Sequence, residues 1–458
     1  MSQQFDAIII GAGQSGPFLA AKMAEVGSKV ALIEREHLGG TCVNDGCTPT
    51  KSLVASARAA HMARRAADFG VNAGNVTVDM KAVKARKDTI VGASISSLTD
   101  WLGNLDNLTL FWGEAGFLSA NQVSVNGQAL TAPKIFINTG GRASIPDWPG
   151  LSDIPYLDNT SMMDLDVVPD HLVIAGASYV GLEFAQMYAR FGARVTVFTN
   201  GDRPIAREDD DISEAVREIL EAEGIQFLFN TSDVKLSKSE NGVEIALKAD
   251  GKSKTLSGSH LLIATGRLPN TEALNLTAAG VATNKRGFID VDDHLRTNVP
   301  GIWAMGDVNG RGAFTHTSYN DFEIVANNLL GDGNRNIGAR IPIYGLFIDP
   351  PLGRVGMSEA EVRKSGKPAL IATMPMTKVA RARERSETQG VLKVLVDAET
   401  KQVLGGAFLG IEGDEVIHGL LQLMAGKLPC TVMQHAVHIH PTVSELIPTL
   451  LGTLKPLE

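Results

Sequence analysis

The amino-acid sequence predicts an α/β protein with two Rossmann-like dinucleotide-binding units. One observation is a short apolar strand followed by a glycine motif and a helical stretch in residues 6–34. The other is the return of the same pattern, in the same register and without gaps, in residues 171–199. Such a repeat indicates two copies of one structural unit, each with its own nucleotide site.

The composition is that of a large globular protein. The chain has 458 residues, of which 44% are apolar and 20% charged, which suits about three domains. A net charge of −9 disfavours nucleic acid and acidic membrane surfaces as partners. The apolar runs are too short to span a bilayer. Three cysteines exclude a disulfide framework and no secretory signal is visible, so we expect a cytoplasmic protein.

The first repeat, "DAIIIGAGQSGPFLAAKMAEVGSKVALIE", reads as strand, glycine turn, helix and second strand. In this context Gly11 permits the tight turn, Gly13 lets a pyrophosphate approach the backbone, and Gly16 lets the helix pack on the strand. The pyrophosphate would accept hydrogen bonds from free N–H groups at the helix N-terminus. Glu34 ends the second strand, where its carboxylate can accept hydrogen bonds from ribose hydroxyls.

The second repeat, "HLVIAGASYVGLEFAQMYARFGARVTVFT", keeps two of the three glycines as Gly176 and Gly181. Ser178 stands where the first repeat has its middle glycine, so the turn is less permissive. The motif, its strand and its helix nevertheless predict a second dinucleotide site.

The second repeat also lacks the acid that ends the first one. Thr199 stands in its place, and an acid there would repel a 2′-phosphate. Arg203 and Arg207 follow nearby, either as partners of that phosphate or as ordinary surface arginines. The second site therefore leans towards NADPH over NADH.

Three further strand ends lie near the expected sites. "KIFINTGGRASIP" and "LLIATGRLPN" each end an apolar strand in Thr-Gly, at Thr139–Gly140 and at Gly266. "GIWAMGDVNG" ends another strand before Asp307. That carboxylate could accept hydrogen bonds from a polyol such as ribitol, or be a helix N-cap or turn residue.

The segment "GGTCVNDGCTPTK" holds two of the three cysteines, Cys42 and Cys47. In an ideal α-helix their Cα atoms would be about 8 to 9 Å apart, whereas a disulfide needs them within about 7 Å. A bridge therefore requires a distorted turn, which Gly46 permits. Pro49 favours Thr48 as the N-cap of a helix, so Cys47 should lie just outside its N-terminus, where the dipole stabilises a thiolate.

Lys51 adds positive charge beside this pair, and together these features indicate a redox couple. Two alternatives remain open: buried free cysteines in a glycine-rich loop, or part of a zinc site. The segment "CTVMQHAVHIHPTVSELIP" supplies His435, His438 and His440 as further ligands for such a site. A non-enzymatic redox or metal-binding protein would use these same residues.

The same C-terminal segment also offers a simpler pair. His440 and Glu445 can form a base oriented by a carboxylate, which could take a proton from a thiol and return it. Cys430 is expected to be a small buried hydrophobic residue.

"GAGQSG", "GGTCVNDGCTPTK", "GASYVGLE", "ATGRLPN", "MGDV" and "HPTVSE" resemble, in this order, the motifs of the FAD-dependent pyridine nucleotide–disulfide oxidoreductases. The resemblance covers essentially the whole chain and implies FAD at the first site and NADPH or NADH at the second. It implies a homodimer with a shared active site, acting on a small-molecule disulfide or a metal–thiol substrate. The implied domains are FAD-binding (1–148 and 270–338), NAD(P)-binding (149–269) and α+β dimerisation (339–458).

The resemblance also implies individual roles. Cys47 would be the thiol next to the flavin, and Cys42 the interchange thiol that attacks the substrate. Lys51 and Glu183 would form a pair near the flavin, and Tyr179 would gate the nicotinamide pocket. His440 and Glu445 would be the acid–base dyad that reaches the cysteines of the other subunit. FAD contacts are expected from Gly11, Gly13, Gly16, Glu34, Thr41, Lys51, Thr139, Gly140 and Asp307, and NAD(P) contacts from Gly176, Ser178, Tyr179, Gly181, Thr199, Arg203 and Gly266.

Within the family, "PPLGRVGMSEAEVRKSG", "ARARERSETQGVLKVLVD" and Ser178 are most similar to the mercuric-reductase-like branch. The intact "HPTVSE" and a C-terminus without vicinal cysteines favour disulfide chemistry, and Thr199 argues against dihydrolipoyl dehydrogenase. Asp45 is unusual, and we expect it to disfavour the Cys42 thiolate or to select the substrate. We therefore predict an NAD(P)H:disulfide oxidoreductase, with a Hg(II) or Cu(II) reductase or a dihydrolipoyl dehydrogenase as alternatives.

Overall fold

The computed structural model describes residues 2–458 and contains the first repeat as part of a parallel sheet. Strands Ala7–Ile10 and Val30–Glu34 pair in parallel, and helix Gly16–Glu25 connects them. The reading of this repeat as strand, turn, helix and strand is thereby confirmed. The five strands, in order across the sheet, are Ile302–Ala304, Ile135–Ile137, Ala7–Ile10, Val30–Glu34 and Leu108–Trp112.

Helices and smaller sheets complete this first unit. The helices are Gly16–Glu25, Gly40–Asn44, Cys47–Arg64, Met80–Gly103, Leu276–Ala279 and Thr315–Leu330. The smaller sheets are Gln3–Gln4, Gln128–Thr131, Gln122–Val125 and Ala115–Ser119, and Arg267–Pro269 with Gly141–Ala143. Because strand 302–304 lies in the same sheet as strand 7–10, the unit is discontinuous in sequence. The domain boundaries at 148, 269 and 338 remain predictions.

The second repeat forms a separate parallel sheet, and its elements also match the expected order. Its strands, in order, are Gln226–Leu228, Arg194–Phe198, His171–Ala175 and His260–Ile263, and its helices are Tyr179–Phe191 and Asp210–Ala222. An antiparallel meander of Ser232–Ser239, Gly242–Ala249 and Lys252–Gly258 packs beside it.

The two glycine turns have the same geometry. Gly11 and Gly176 have φ of +103° and +114°, a region that residues with a Cβ rarely adopt. A Cβ added to either glycine would lie 2.3 Å from a carbonyl oxygen, that of Asn138 or that of Ala264. Both strand–helix turns therefore require glycine at the first position of the motif.

The C-terminal part is a six-stranded antiparallel sheet with helices, as expected for an α+β domain. Its strands, in order, are Ile343–Leu346, Leu352–Gly356, Val403–Leu409, Val391–Asp397, Ala369–Pro375 and Lys455–Pro456. Its helices are Glu359–Ser365, Ala380–Glu384, Gly413–Val416, His418–Ala425, Thr431–Gln434 and Ile447–Leu451. Across residues 2–458, no helix combines the length and apolar character needed to cross a membrane.

An ion-pair network joins all three parts at Asp349. Its carboxylate accepts hydrogen bonds from Arg58 of the first unit and from Arg190 of the second, with Nη1–Oδ2 of 2.6 Å for Arg190. Arg190 is 5% exposed and is also paired with Glu223 at 2.7 Å. Since removing one partner of a buried pair leaves an uncompensated charge, this network favours one arrangement of the three parts.

Candidate active site

The cysteine segment consists of two helices with a sharp break between them. Cys42 lies in helix Gly40–Asn44, and Cys47 is the first residue of helix Cys47–Arg64. The expected N-cap at Thr48 was wrong, because Gly46 is the N-cap and its carbonyl accepts the first helical hydrogen bond, from the Thr50 N–H at 3.0 Å. Cys47 therefore lies inside the first turn, where helix N–H groups still favour a thiolate.

Gly46 makes this break possible, as expected. A Cβ at this position would lie 2.7 Å from the carbonyl oxygen of Thr41, whose neighbour Cys42 is on the preceding helix. The close approach of the two helix ends brings the cysteine side chains into hydrogen-bonding contact, and both are free thiols in this structure.

The two thiols differ in their affinity for protons. The hydrogen bond from Cys42 lowers the pKa of Cys47 to about 6, and Thr315, 3.1 Å from its Sγ, and the charge of Lys51 act in the same direction. The hydrogen bond to Cys47, followed by burial, raises the pKa of Cys42. At neutral pH the pair therefore carries its negative charge on Cys47 and its proton on Cys42.

The expected Lys51–Glu183 pair is present. Lys51 Nζ donates to Glu183 Oε2 at 2.8 Å and lies 4.4 Å from the centre of the Phe347 ring. Glu183 is nearly buried, and its Oε1 accepts from the Phe347 N–H at 3.0 Å. Glu183 of the second repeat and Phe347 of the C-terminal part therefore both hold Lys51 in place beside Cys47.

The glycine loop of the first repeat retains free backbone donors. The N–H groups of Gly13 and Gln14 have no hydrogen-bond partner within residues 2–458. A Cβ on Gly40 would lie 2.9 Å from the Gly13 Cα, so the loop is closely packed on one side. Unpaired N–H groups in a glycine loop suit the oxygens of a pyrophosphate, so these residues fit the FAD that the motif implies.

Glu34 has a different set of contacts from the one expected. Its Oε2 accepts from the Ala12 N–H at 2.8 Å, and its Oε1 accepts from the N–H groups of Glu36 and His37 at 2.8 and 3.3 Å. The carboxylate thus holds the glycine loop and the following turn together, in addition to any bond with a ribose.

The Thr-Gly corner and Asp307 lie near the ends of neighbouring strands. Thr139 Oγ1 donates to the Asn270 carbonyl at 2.8 Å, and the Gly140 carbonyl accepts from the Asn270 N–H at 3.0 Å. Burial raises the pKa of Asp307, and the Nε of Arg267 is 3.9 Å from its Oδ2. A half-buried carboxylate with so little compensation suits donors such as ribitol hydroxyls.

Sequence reasoning missed Asn138. Its Oδ1 accepts from the Gly16 N–H at 2.9 Å, and its Nδ2 donates to the Met305 carbonyl at 2.9 Å. One N–H at the helix N-terminus is therefore already taken by the protein. The available signal was a polar residue at the end of the apolar strand "KIFIN".

The second nucleotide site has fewer free groups than expected for phosphate binding. Arg203 Nη1 is paired with Asp210 Oδ1 at 2.9 Å, and Thr199 Oγ1 accepts from the Gly201 N–H at 3.3 Å. Arg207 is exposed. Arg203 is therefore already paired within the protein, in an exposed ion pair of the kind that contributes little stability.

The turn of the second repeat places two expected residues at a helix start. Ser178 is the N-cap of helix Tyr179–Phe191, and Tyr179 is its first residue. The Tyr179 hydroxyl donates to Glu208 Oε1 at 3.1 Å. Gly181 is buried in this helix. Gly266, with φ of +150°, lies between strand His260–Ile263 and strand Arg267–Pro269.

Asp45 lies between the cysteines but is held away from them. Its Oδ2 accepts a hydrogen bond from Thr160 Oγ1, and its carbonyl accepts from Asn159 Nδ2 at 3.2 Å. Burial raises the pKa of Asp45. The main causes that raise the pKa of Cys42 are Cys47 and burial, so a direct effect of Asp45 on that thiol is secondary.

The expected contact between His440 and Glu445 is present near the other end of the chain. His440 Nδ1 is 2.8 Å from Glu445 Oε2, and the His440 side chain is 75% exposed. Within residues 2–458 it makes no hydrogen bond to either cysteine of the pair. The apolar side chains of Val437 and Ile439 beside it are 100% and 79% exposed, which is unusual for an uncovered surface.

The remaining metal-site alternative has no geometry to support it. His435 is the C-cap of a four-residue helix, Thr431–Gln434, so it and His438 do not share a helical face. No group of three or more His, Cys, Asp or Glu side chains in residues 2–458 is placed to hold a metal ion. Cys430 is 1% exposed, and its expected role as a small buried residue is confirmed.

Comparisons with known proteins identify the family of this chain. A model of the pyridine nucleotide-disulphide oxidoreductase family matches residues 5–321, and a model of its dimerisation domain matches residues 343–451. The probable pyridine nucleotide-disulfide oxidoreductase RclA of Escherichia coli strain K12 is 36% identical over 460 residues, covering 99% of this chain and 100% of that protein.

Two other matches bear on the subfamily. A mercuric reductase of Staphylococcus aureus is 32% identical over 414 residues, covering 90% of this chain and 76% of that protein. A solved structure described as the Cu(II) complex of the HOCl-induced flavoprotein disulfide reductase RclA from Escherichia coli has a TM-score of 0.90 at 35% identity, with 99% of each chain covered.

Proposed function

The chain belongs to the pyridine nucleotide-disulphide oxidoreductase family, and on that premise we propose that its Cys42–Cys47 pair passes electrons from NAD(P)H to a disulfide or a thiol-bound metal ion. Enzymes of this family use FAD and NAD(P)H, and the dimerisation domain supports a homodimer. The sparse use of cysteine fits a reducing compartment, so we also propose a cytoplasmic location.

The observation that carries this proposal is the unequal proton affinity of two sulfurs in contact. The hydrogen bond from Cys42 lowers the pKa of Cys47 to about 6, whereas the hydrogen bond to Cys47 and burial raise the pKa of Cys42. The thiolate is the nucleophile in thiol–disulfide exchange. Cys42 therefore needs a base before it can attack a substrate, while Cys47 is ready to act at once.

Reduction of a disulfide then follows in two balanced steps. The Cys42 thiolate attacks one substrate sulfur, the substrate S–S bond breaks, and the departing thiolate takes up a proton. The Cys47 thiolate next attacks Cys42 Sγ, which releases the second substrate thiolate and forms the Cys42–Cys47 disulfide. The substrate gains two electrons and two protons, one from Cys42 through the base and one from solvent, while the cysteine pair loses two electrons and that one proton.

We assign the proton transfers to His440 and Glu445. The carboxylate at 2.8 Å fixes the tautomer of His440 with a proton on Nδ1, so Nε2 is free to accept and return the thiol proton. The exposed ring and its exposed apolar neighbours support the proposal that this segment is covered by, and serves, the second subunit of the homodimer.

The residues that would hold FAD fit the group. The free N–H groups of Gly13 and Gln14 suit its pyrophosphate, and the half-buried Asp307 suits its ribitol. When bound, FAD supplies the two-electron relay between the pyridine nucleotide and the cysteine pair. Glu183 holds Lys51 in place, and the positive charge of Lys51 lowers the pKa of Cys47, whereas the charge of Glu183 acts in the opposite direction.

A metal-ion reductase is the second candidate. The sequence-related RclA has been solved as a Cu(II) complex, and the Staphylococcus aureus relative is a mercuric reductase. Two thiol side chains in contact, one of them a thiolate, are ligands that soft metal ions prefer. Cu(II) or Hg(II) would then be a substrate held between Cys42 and Cys47.

The deciding experiment is an anaerobic steady-state screen of the holoenzyme. NADH and NADPH are each tested with lipoamide, glutathione disulfide, Hg(II) and Cu(II), in the unaltered protein and in the Cys42→Ser and Cys47→Ser variants. We expect both variants to lose about a hundredfold or more in turnover of the true substrate. Ferricyanide, which needs no thiol, serves as the control acceptor and should be reduced by all three proteins.

The acceptors that the enzyme reduces distinguish the two candidate functions. Activity with a disulfide that vanishes in both variants supports the main proposal, and activity confined to a metal ion supports the second candidate. Equal rates in all three proteins with every acceptor would contradict both. A lower KM for NADPH than for NADH would agree with Thr199 and Arg203 as determinants of nucleotide choice.

A further inference from the structure

A buried carboxylate connects the second nucleotide unit to the C-terminal sheet. The Glu208 side chain is fully buried, and its Oε1 accepts hydrogen bonds from the Tyr179 hydroxyl at 3.1 Å and the Tyr344 hydroxyl at 2.7 Å. Its Oε2 is 3.4 Å from Nη1 of Arg354, which is 2% exposed. Tyr344 and Arg354 belong to strands Ile343–Leu346 and Leu352–Gly356 of the C-terminal sheet.

Glu208 has a cationic partner, Arg354, that does not depend on Tyr179. Arg354 also pairs with Asp209 at 3.0 Å, and the buried Lys393 lies 2.8 Å from Glu359 and 3.5 Å from Asp209. Two buried cations thus anchor this carboxylate segment to the sheet. The network is fixed in place, whereas Tyr179, at the start of its helix, is only half-buried.

Aromatic contacts hold the Tyr179 ring from another side. It packs edge-on against Phe314 at 6.2 Å and against Tyr344 at 5.7 Å, while Phe314 stacks on Tyr344 and His316 at 5.5 and 5.4 Å. Edge-on aromatic pairs contribute modestly and do not restrict a ring to one orientation. The hydroxyl bond to Glu208 is the directional contact.

We propose that Glu208 is a positioning residue that latches Tyr179 in the closed position and so sets how readily the nicotinamide pocket opens. This inference rests on the proposed function and on the expectation from the family resemblance that Tyr179 gates that pocket. When the ring swings out, it breaks one hydrogen bond to an ionised acceptor. Glu208 keeps Tyr344 and Arg354, so no buried charge is left unpaired, and opening remains reversible.

The chemistry of the hydroxyl is consistent with a latch. Burial, followed by the charge of Glu208, raises the pKa of Tyr179, so the phenol keeps its proton and remains a donor. A hydrogen bond to a charged group is stronger than one between neutral groups. A closed state favoured in this way reduces the apparent affinity for NAD(P)H by the fraction of molecules that are open.

The test compares variants that differ by single hydroxyl or charge changes. Tyr179→Phe keeps the ring but removes the latch, Glu208→Gln keeps an acceptor but removes its charge, and Tyr344→Phe removes the other hydroxyl from the same oxygen. Calorimetric titration of the oxidised holoenzyme with NADP⁺ or NAD⁺ gives the dissociation constant without turnover. We expect tighter binding by about tenfold in Tyr179→Phe, by about threefold in Glu208→Gln, and within about twofold of the unaltered enzyme in Tyr344→Phe.

Steady-state kinetics provide the second readout. The latch predicts that Tyr179→Phe and Glu208→Gln lower the KM for the preferred nucleotide in the same order in which they lower its dissociation constant. If the network had a purely structural role, all three variants would instead bind the nucleotide more weakly than the unaltered enzyme. Unchanged binding and KM in Tyr179→Phe would overturn the latch while leaving the proposed function intact. No binding of either nucleotide by the unaltered enzyme would overturn the proposed function and the latch with it.

Discussion

Cys47 depends on a neighbouring side chain for its low pKa. The largest cause is the hydrogen bond from Cys42, so the donor matters more than the nearby lysine. Cys42→Ser keeps a hydroxyl donor at this position, whereas Cys42→Ala removes it. The two variants therefore separate the hydrogen bond from all other influences on Cys47.

We expect the pKa of Cys47 to stay low in Cys42→Ser and to rise in Cys42→Ala. The sign follows from the acid–base equilibrium: stabilising the thiolate lowers the pKa, and losing that stabilisation raises it. In the reduced protein, Cys47 should be mainly thiolate above about pH 6. The measurement is the pH dependence of its alkylation rate by iodoacetamide. Identical profiles in the two variants would show that Lys51 and the helix determine the pKa.

Asp45 offers a second test at the level of single residues. Its half-buried carboxylate accepts from Thr160 Oγ1, so Thr160→Val leaves it without that donor. We expect a loss of about 1 kcal/mol in stability and a lower melting temperature of the holoenzyme. Asp45→Asn keeps an acceptor for Thr160 and should melt closer to the unaltered protein. A larger loss of stability in Asp45→Asn than in Thr160→Val would contradict a stabilising role for the Thr160–Asp45 hydrogen bond.

At the level of elements, the break between the two cysteine helices depends on one glycine. A Cβ at Gly46 would lie 2.7 Å from the Thr41 carbonyl, which is closer than atoms tolerate. We expect Gly46→Ala to force the helices apart and to slow formation of the Cys42–Cys47 disulfide by at least about tenfold. Thiol quantification during oxidation by a glutathione redox buffer measures this rate.

Gly103 provides the matched control. It is exposed at the end of helix Met80–Gly103, and an added Cβ would meet no atom within 4 Å. Gly103→Ala should therefore leave disulfide formation unchanged and slightly favour its helix. Equal rates in both variants would show that the break does not depend on Gly46.

The elements around the glycine motifs could be predicted from sequence, because an apolar strand, a glycine turn and an amphipathic helix are all local patterns. The start of the cysteine helix could not. Thr48 followed by Pro49 is a strong local signal for an N-cap, but close contact with helix Gly40–Asn44 moves the start to Cys47. Asn138 and Glu208 were missed for a similar reason, since their partners are 122 and 146 residues away at Gly16 and Arg354.

At the scale of the whole molecule, the dimerisation domain supports a homodimer, and within residues 2–458 the His440–Glu445 pair makes no hydrogen bond to the cysteine pair. If each site combines Cys47 of one subunit with His440 of the other, two inactive variants should complement each other. We expect Cys47→Ser and His440→Gln homodimers each to be inactive with a disulfide substrate. After co-expression, random pairing should restore about a quarter of the activity.

The control for this experiment is a mixture that cannot complement. Cys47→Ser co-expressed with the double variant Cys47→Ser/His440→Gln contains no subunit with an intact cysteine pair and should remain inactive. Tandem affinity tags isolate the mixed dimers in both cases, and those of the first experiment should show about half of the full activity because one of their two sites is intact. Inactive mixed dimers in the first experiment would mean that each chain forms its own complete site.

Glu34 has a consequence for anyone who wishes to re-engineer the first nucleotide site. Its two carboxylate oxygens accept from the N–H groups of Ala12, Glu36 and His37, so the side chain is also a scaffold for the loop. Replacing it to admit a different nucleotide would leave three backbone donors without their acceptor. A variant with a different nucleotide preference at this position must therefore first supply new hydrogen-bond acceptors for these N–H groups. Only then can the side chain be chosen for its selectivity.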